Sequence, residues 1–407
     1  MPATQLHPAA HPSPTLSALF LPRPNADSQR LLEAPQLELT YSGRGALYTA
    51  FREIARSGKT EVLLPGYHCP SCVTPALEAG LKPIFYRVRR DLQIDQADLL
   101  AKVTAGTAAL LVIHYFGLPT DLGPFQALRQ AGVALVEDWS HSFMQGDPPR
   151  LAGGGSDYRI YSFWKIAPTG VGGGLWRERG ATASPALGQA PLRERVVRFK
   201  RLFEEAIKAS EHRRLRQLFQ SLEQWRVGIK GVPPASQQEG SNDVPRQVAG
   251  EDHYPFDPQL VRSGMPTSTR RMLVAQDLAT IARRRRTNYQ TYAALLPATS
   301  PVRPLAPNLP EGACPWVFPV LLERRSERDH VWRSRGVALH TFGIYLHSAL
   351  AEQADAATLA DARYLAEHCL CLAVHQDLSS EQIAASASIL CEDLAAPAAS
   401  LSAVAQS

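Results

Sequence analysis

Cysteine is scarce in this chain, with six in 407 residues, at Cys69, Cys72, Cys314, Cys369, Cys371 and Cys391. That pattern is too sparse for a secreted disulfide scaffold, so reduced thiols are expected. A large excess of one charge sign is also missing, since 43 Lys and Arg stand against 38 Asp and Glu. Such a surplus gives no electrostatic footprint for nucleic acid. In the first 30 residues the only apolar run, Leu16 to Leu21, is too short for a signal core or a membrane span, and six prolines but no basic n-region accompany it. A soluble cytoplasmic protein with no membrane partner follows as the expectation, with residues 1–30 a disordered tail. No internal repeat is visible.

What the sequence does have is length and apolar content for a sizeable core, 45% hydrophobic over 407 residues, which suggests two domains. From Leu37 to Trp176, short apolar runs alternate with helix-like stretches, the pattern of a sheet whose strands are joined by helical crossovers. Strands are expected at Glu61–Leu64, Pro83–Tyr86, Ala109–His114, Ala134–Glu137, Arg159–Phe163 and Gly173–Arg177. Helices are expected at Pro70–Gly80, Asp95–Thr104 and Gly123–Gly132. Val196 to Ile229 reads as an amphipathic helix pair, and 231–257 as a mobile loop, because its Pro, Gly, Gln, Ser and Asp residues bury little. One long helix from Ser268 to Leu296, a strand at Trp316–Leu322 and helices at Glu327–Ser334 and Glu381–Leu394 complete a smaller α/β domain over 263–395. The larger domain then spans 31–262, and 396–407 is a second tail.

Four groups of residues carry chemistry. Strand Ala134–Val136 runs into Glu137-Asp138, and an acid at the carboxyl end of a buried strand points into the crevice where open α/β sheets bind ligands. Tyr161-Ser162-Phe163-Trp164-Lys165 follows, then a glycine-rich run through Gly170, Gly172, Gly173 and Gly174. A lysine just past a strand, with a hydroxyl three residues before it, suits covalent attachment of pyridoxal phosphate (PLP), since partial burial keeps some of the amine neutral. Upstream, Ser42-Gly43-Arg44-Gly45 opens a helix whose N-terminal N–H groups and dipole suit a phosphate. Together these supply a phosphate cradle, a hydroxyl, an acid for the pyridine nitrogen and a lysine for the aldehyde. Each also has a plain structural reading as a helix cap, a turn or a surface lysine, and it is their joint presence that specifies PLP.

On these residues the chain resembles the DegT/DnrJ/StrS family of PLP-dependent aminotransferases, as a divergent member. Leu64-Pro65-Gly66-Tyr67, the segment from Ile113-His114 to Pro119-Thr120-Asp121, the acid with His141 three residues on, and Cys371 to Leu378 all resemble family segments. The resemblance implies fold type I, with a mostly parallel seven-stranded sheet between helices, a smaller C-terminal α/β domain and a homodimer. It also implies transfer of an amino group from glutamate or glutamine to a nucleotide-linked keto sugar, in cell-surface polysaccharide or secondary-metabolite biosynthesis. Lys165 is then the catalytic residue, and Gly43, Arg44, Gly45, His68, Asp138, His141 and Ser162 contact the cofactor. No metal is implied. The sequence departs from the family in three places. Ser162 and Lys165 are three apart where five is usual, Arg44 replaces a threonine, and Cys69 falls where an aromatic residue stacks on the ring, with His68 and then Tyr67 the nearest substitutes.

A PLP-dependent sugar dehydratase and a non-catalytic PLP-binding regulator would use the same constellation. Cys69-Pro70-Ser71-Cys72 supports a more distant alternative, a redox or metal-binding protein, though no second such pair completes a zinc site. Arg283 to Arg286 fan over all faces of a helix and read as a solvated or ion-paired surface. His340 and His347 fall where the resemblance brings small-domain residues to the site, or are structural.

Overall fold

The structure, a computed structural model, describes residues 9–179, 187–210, 217, 256–297, 302–323 and 325–395. Two short helices come first, α1 (Leu16–Phe20) and α2 (Ala26–Leu32). They correct the expectation of a disordered tail, of which only residues 1–8 lie outside the described set. The segment has no core of its own and borrows one. Asn25 caps α2, the Ser28 hydroxyl donates to the Gln276 carbonyl (2.5 Å), and Leu32 is buried. Proline-rich composition means that a segment cannot bury itself; it does not mean that no neighbouring surface receives it.

The expected alternation follows as β1 (Leu37–Thr40), α3 (Gly43–Ile54), β2 (Glu61–Pro65), α4 (Val73–Glu78), β3 (Lys82–Tyr86), α5 (Gln96–Ala101), β4 (Thr107–Ile113), α6 (Gln126–Gln130) and β5 (Ala134–Trp139). After a small hairpin of β6 (Met144–Gln145) and β7 (Arg150–Leu151) come β8 (Tyr158–Ser162) and β9 (Gly173–Arg177). Seven of these strands form one sheet in the order β1-β9-β8-β5-β4-β2-β3, in which β9 is antiparallel to both its neighbours and the other pairs are parallel. This is the mostly parallel seven-stranded sheet that the resemblance implies. All seven residues of β4 are buried, as expected of a strand covered by helices on both faces. Register places Asp138 beside Ile113 and Ile160, and Ser162 beside Gly173, so the chemistry gathers along one edge of the sheet.

Helix α7 (Leu192–Ala209) accounts for the first half of the expected helix pair, and the second half lies almost wholly outside the described residues, as does the loop except for its last two residues. After α8 (Pro258–Val261), the expected helix from Ser268 to Leu296 is two helices, α9 (Thr267–Val274) and α10 (Leu278–Leu295). Asp277 makes the break: its carboxylate accepts the Thr280 N–H and starts a new helix, as aspartate does at an N-cap. The remaining strands β10 (Arg303–Pro304), β11 (Val317–Leu321), β12 (Leu339–His340) and β13 (Cys369–Ala373) form an antiparallel sheet in the order β10-β11-β13-β12. Helices α11 (Arg325–Ser334), α12 (Ser348–Gln353), α13 (Ala356–His368) and α14 (Ser380–Ala395) join or cover its strands. Tyr289, Tyr292, Phe318, Trp332, Ile383 and Leu390 form its core, each burial being worth about 1.5–3 kcal/mol for a large apolar side chain. Asp361 of α13 ties this unit to the segment just after β3 by accepting from Arg87 and Arg90, each at 2.8 Å.

Candidate active site

A cavity of about 750 Å³ opens at the carboxyl edge of β5 and β8 and is closed from the other side by residues around β11 and β12. Six of the eight expected site residues line it: Gly43, Arg44, Asp138, His141, Ser162 and Lys165. The alternation of β5 explains why Asp138 faces the cavity and Glu137 does not. Glu137 is buried on the other face of the sheet, accepting from Trp139 Nε1 (2.8 Å), Gly154 N (3.0 Å) and Ser156 Oγ (2.5 Å), and it pairs with His114 Nε2 at 3.0 Å. Burial works against its charge, yet the bonds from His114, Ser156 and Trp139 hold its pKa below the usual carboxylate value. Asp138 accepts from the Ser140 N–H (2.8 Å) and, at 3.7 Å, from the Cys72 thiol.

Ser162 ends β8, and the short helical turn Phe163–Lys165 brings Lys165 straight off the strand. Burial pushes the lysine amine below its ordinary pKa, against the opposing pull of Asp138, Cys69, Cys72 and Cys371. Its Nζ lies 4.6 Å from the centre of the Trp316 ring, a cation–π distance. The backbone beneath is held by Arg285, whose Nη2 donates to the carbonyls of Lys165 (3.3 Å) and Ile166 (3.2 Å). Its Nη1 donates to Pro315 and Trp316, and its Nε to the Gln376 side chain. Arg285 is fully buried and the Arg286 guanidinium holds the carbonyls of Gly146, Gly312 and Ala313, whereas Arg283 and Arg284 are exposed, so the expected solvated surface holds for the first two residues of the run and fails for the last two.

Helix α3 starts against this edge. Ser42 caps it by accepting the Gly45 N–H at 3.2 Å, so Gly43 and Arg44 are the first-turn residues that face the cavity. A side chain on Gly43 would come within 3.2 Å of Ser140 Oγ and of the Tyr161 carbonyl, and one on Gly173 would lie 2.2 Å from the Ser42 backbone. Glycine at these positions lets the helix start lie on the ends of β8 and β9. Gly45 does not line the cavity. Its N–H is taken by Ser42, and a Cβ there would meet the Val261 carbonyl at 2.8 Å, so it serves packing against α8.

His68 is also absent from the cavity wall. Its Nδ1 bonds the carbonyls of Pro65 and Gly66, its Nε2 accepts the His347 N–H, and its ring stacks on Phe85. Tyr67 is buried too, donating to the Phe342 carbonyl. The cavity wall here is made by Cys69 and Cys72. Burial, then the nearby Asp138 charge, raise the Cys72 thiol well above its ordinary pKa, the opposite of what a redox thiolate needs. His141 accepts the Phe116 N–H on Nδ1 at 2.9 Å, which leaves the proton on Nε2, and burial with the Lys165 charge keeps the ring neutral. It packs between Phe116 (5.7 Å) and Trp316 (4.6 Å).

Apart from His340, the sequence reading missed the other wall. Trp164, Trp316, Phe342 and Tyr345 line it, as does His340, together with His11 from the segment expected to be disordered. His347 does not; it caps α12. No periodicity marks these residues, because they come from loops and strand ends far apart in the chain.

The donor set fits PLP: first-turn residues of a helix with Ser162 for a phosphate, a carboxylate at the strand end and a partly desolvated amine share one cavity. Fold and site define a PLP-dependent enzyme of fold type I. Residues 37–183 match the DegT/DnrJ/EryC1/StrS aminotransferase family, so the resemblance holds over the stretch that carries Gly43, Arg44, Asp138, His141, Ser162 and Lys165, and with it the aminotransferase class. Solved structures share the fold. The aminotransferase TlmJ from Streptoalloteichus hindustanus is 22% identical with a TM-score of 0.61, over 91% of this chain and 89% of that one. The sugar aminotransferase CalS13 from Micromonospora echinospora is 19% identical with a TM-score of 0.59, over 90% and 89%. Spr1654 from Streptococcus pneumoniae, in its PLP form, is 16% identical with a TM-score of 0.64, over 95% and 98%.

Proposed function

We propose that this enzyme transfers an amino group from glutamate or glutamine to a keto sugar carried on a nucleotide. The observation that supports it most is the convergence of Lys165, Asp138, Ser162, Gly43 and Arg44 on one cavity. In this reading the α3 start and Ser162 hold the phosphate of PLP, Asp138 keeps its pyridine nitrogen protonated, and His141 lies against its ring. Bound there, PLP supplies an electron sink for the carbon that loses its proton. Lys165 moves that proton at Nζ. Its lowered pKa favours the neutral amine that can accept it, and the Trp316 face stabilises the cation that results. Arg285 fixes the root of that side chain through its backbone carbonyl, so only the stem swings. The sugar acceptor is suggested by relatives such as CalS13, and a homodimer by the family; light scattering would test the latter.

The deciding experiment supplies the PLP-loaded enzyme with L-glutamate or L-glutamine and a thymidine- or uridine-diphosphate-linked keto hexose. The expected products are the keto acid and the amino sugar. Loss of the sugar's hydroxyl without gain of nitrogen would mean a dehydratase. No change in either donor or sugar would favour a binding protein.

A further inference from the structure

The segment before α1 is built into the site, and nothing in the reaction described above uses it. His375 Nε2 lies 2.8 Å from the Ala9 carbonyl, and the Ser13 N–H donates to the Asp377 carboxylate at 2.8 Å. Between these two anchors the ring of His11 packs against His340 (4.2 Å) and Trp164 (5.2 Å) and reaches the cavity that holds Lys165. Gln376, between the two anchoring residues, bonds Arg285 and the Ile166 carbonyl, so one stretch grips both the N-terminal segment and the lysine turn. His11 Nδ1 is buried with no hydrogen-bond partner among the described residues, and the same holds for the indole N–H of Trp316 in the same wall. Both atoms are enclosed, so neither is presented to the cavity, and Nε2 is the ring nitrogen that His11 has left for a polar occupant there.

We propose that residues 9–13 form a strap closing the side of the cavity away from the sheet, and that His11 meets an uncharged oxygen of the acceptor, a hydroxyl or a carbonyl. The position supports this. Gly43, Arg44, Asp138 and Ser162 occupy the sheet edge, whereas His11 stands with His340 and Trp316 on the far side of Lys165. The chemistry supports it as well. Burial, then the charges of His375, Lys165, Arg285 and Arg333, hold the His11 pKa at about 4, so the ring is neutral near pH 7 and suits a neutral oxygen better than an anion. The contact rests on the aminotransferase reading; the strap does not.

Two measurements on the full chain separate them. Hydrogen exchange of the peptide containing Ser13 needs no cofactor. The amide should be protected in the wild type and exchange about tenfold faster in Asp377→Ala. Free exchange in the wild type would overturn the strap. In the transfer assay, His11→Ala should raise the KM for the thymidine-diphosphate-linked keto hexose about tenfold, the order expected for one hydrogen bond, while the L-glutamate half-reaction keeps its rate. His11→Gln, whose amide can stand in for Nε2, should recover most of the loss. An unchanged acceptor KM, or equal damage to both half-reactions, would overturn the contact. A wild-type enzyme that transfers no amino group would remove the contact together with the proposed function, with the exchange result still deciding the strap.

Discussion

At the scale of single residues, the most direct expectation concerns Lys165. Sodium borohydride should fix the phosphopyridoxyl group on it, located by peptide mapping, and Lys165→Ala should lower turnover by on the order of 10² to 10⁴-fold while PLP still binds weakly. Labelling of a different lysine would refute the assignment. Asp138→Ala should keep the borohydride label and lose turnover, because it removes the charge beside the ring nitrogen and leaves the amine in place. Cys72→Ser should retain nearly full activity, since a hydroxyl can still donate to Asp138; a collapse in turnover with PLP bound would return weight to the thiols. Lys165, Asp138 and Ser162 were legible in the sequence because each sits at the end of a strand whose pattern announces itself. His68 misled for a physical reason. Adjacent residues of an extended segment point in different directions, and only the carbonyls of Pro65 and Gly66 decide that its ring turns inward.

Among the secondary-structure elements, α3 offers the clearest contrast, because two glycines two residues apart do different work. Gly45→Ala forces a methyl to within 2.8 Å of the Val261 carbonyl. It should cost about 1–3 kcal/mol of stability, as overpacking does, and leave PLP affinity almost unchanged. Gly43→Ala crowds Ser140 and Ser162 at the cavity instead, and should weaken PLP binding on the order of tenfold with little change in Tm. Thermal melts and PLP titrations of both variants would check this, and identical behaviour would contradict it. Six strands of the large sheet were readable from their apolar runs. The break at Asp277 and the docking of α2 were not, since a cap inside a helical pattern and a borrowed core both depend on partners distant in sequence.

The whole molecule stores several neutral histidines, and this sets how it responds to acid. Burial is the leading cause in each case, taking His11, His68 and His375 from 6.5 to about 4, and His141 and His340 well below the usual value. Unfolded, each binds a proton near pH 6.5, so between about 6.5 and 4 the unfolded chain holds more protons than the folded one. Stability is therefore complete above that window and is lost as the pH falls through it, at about 1.4 kcal/mol per pH unit for the fully buried His68. Tm should be level near neutrality and fall on acidification, with a shallower fall in His68→Gln; a level Tm down to pH 4 would contradict the sign. The buried guanidinium of Arg285 has a different consequence, which concerns how freely this enzyme can be redesigned. All of its donor nitrogens are engaged, by the Lys165 turn, the start of β11 and Gln376. Lysine could supply neither the planar fork nor as many donors. In a mutational library aimed at new acceptors, position 285 should tolerate almost nothing although it touches no substrate, whereas the wall of His11, Trp164 and Tyr345 should accept variation.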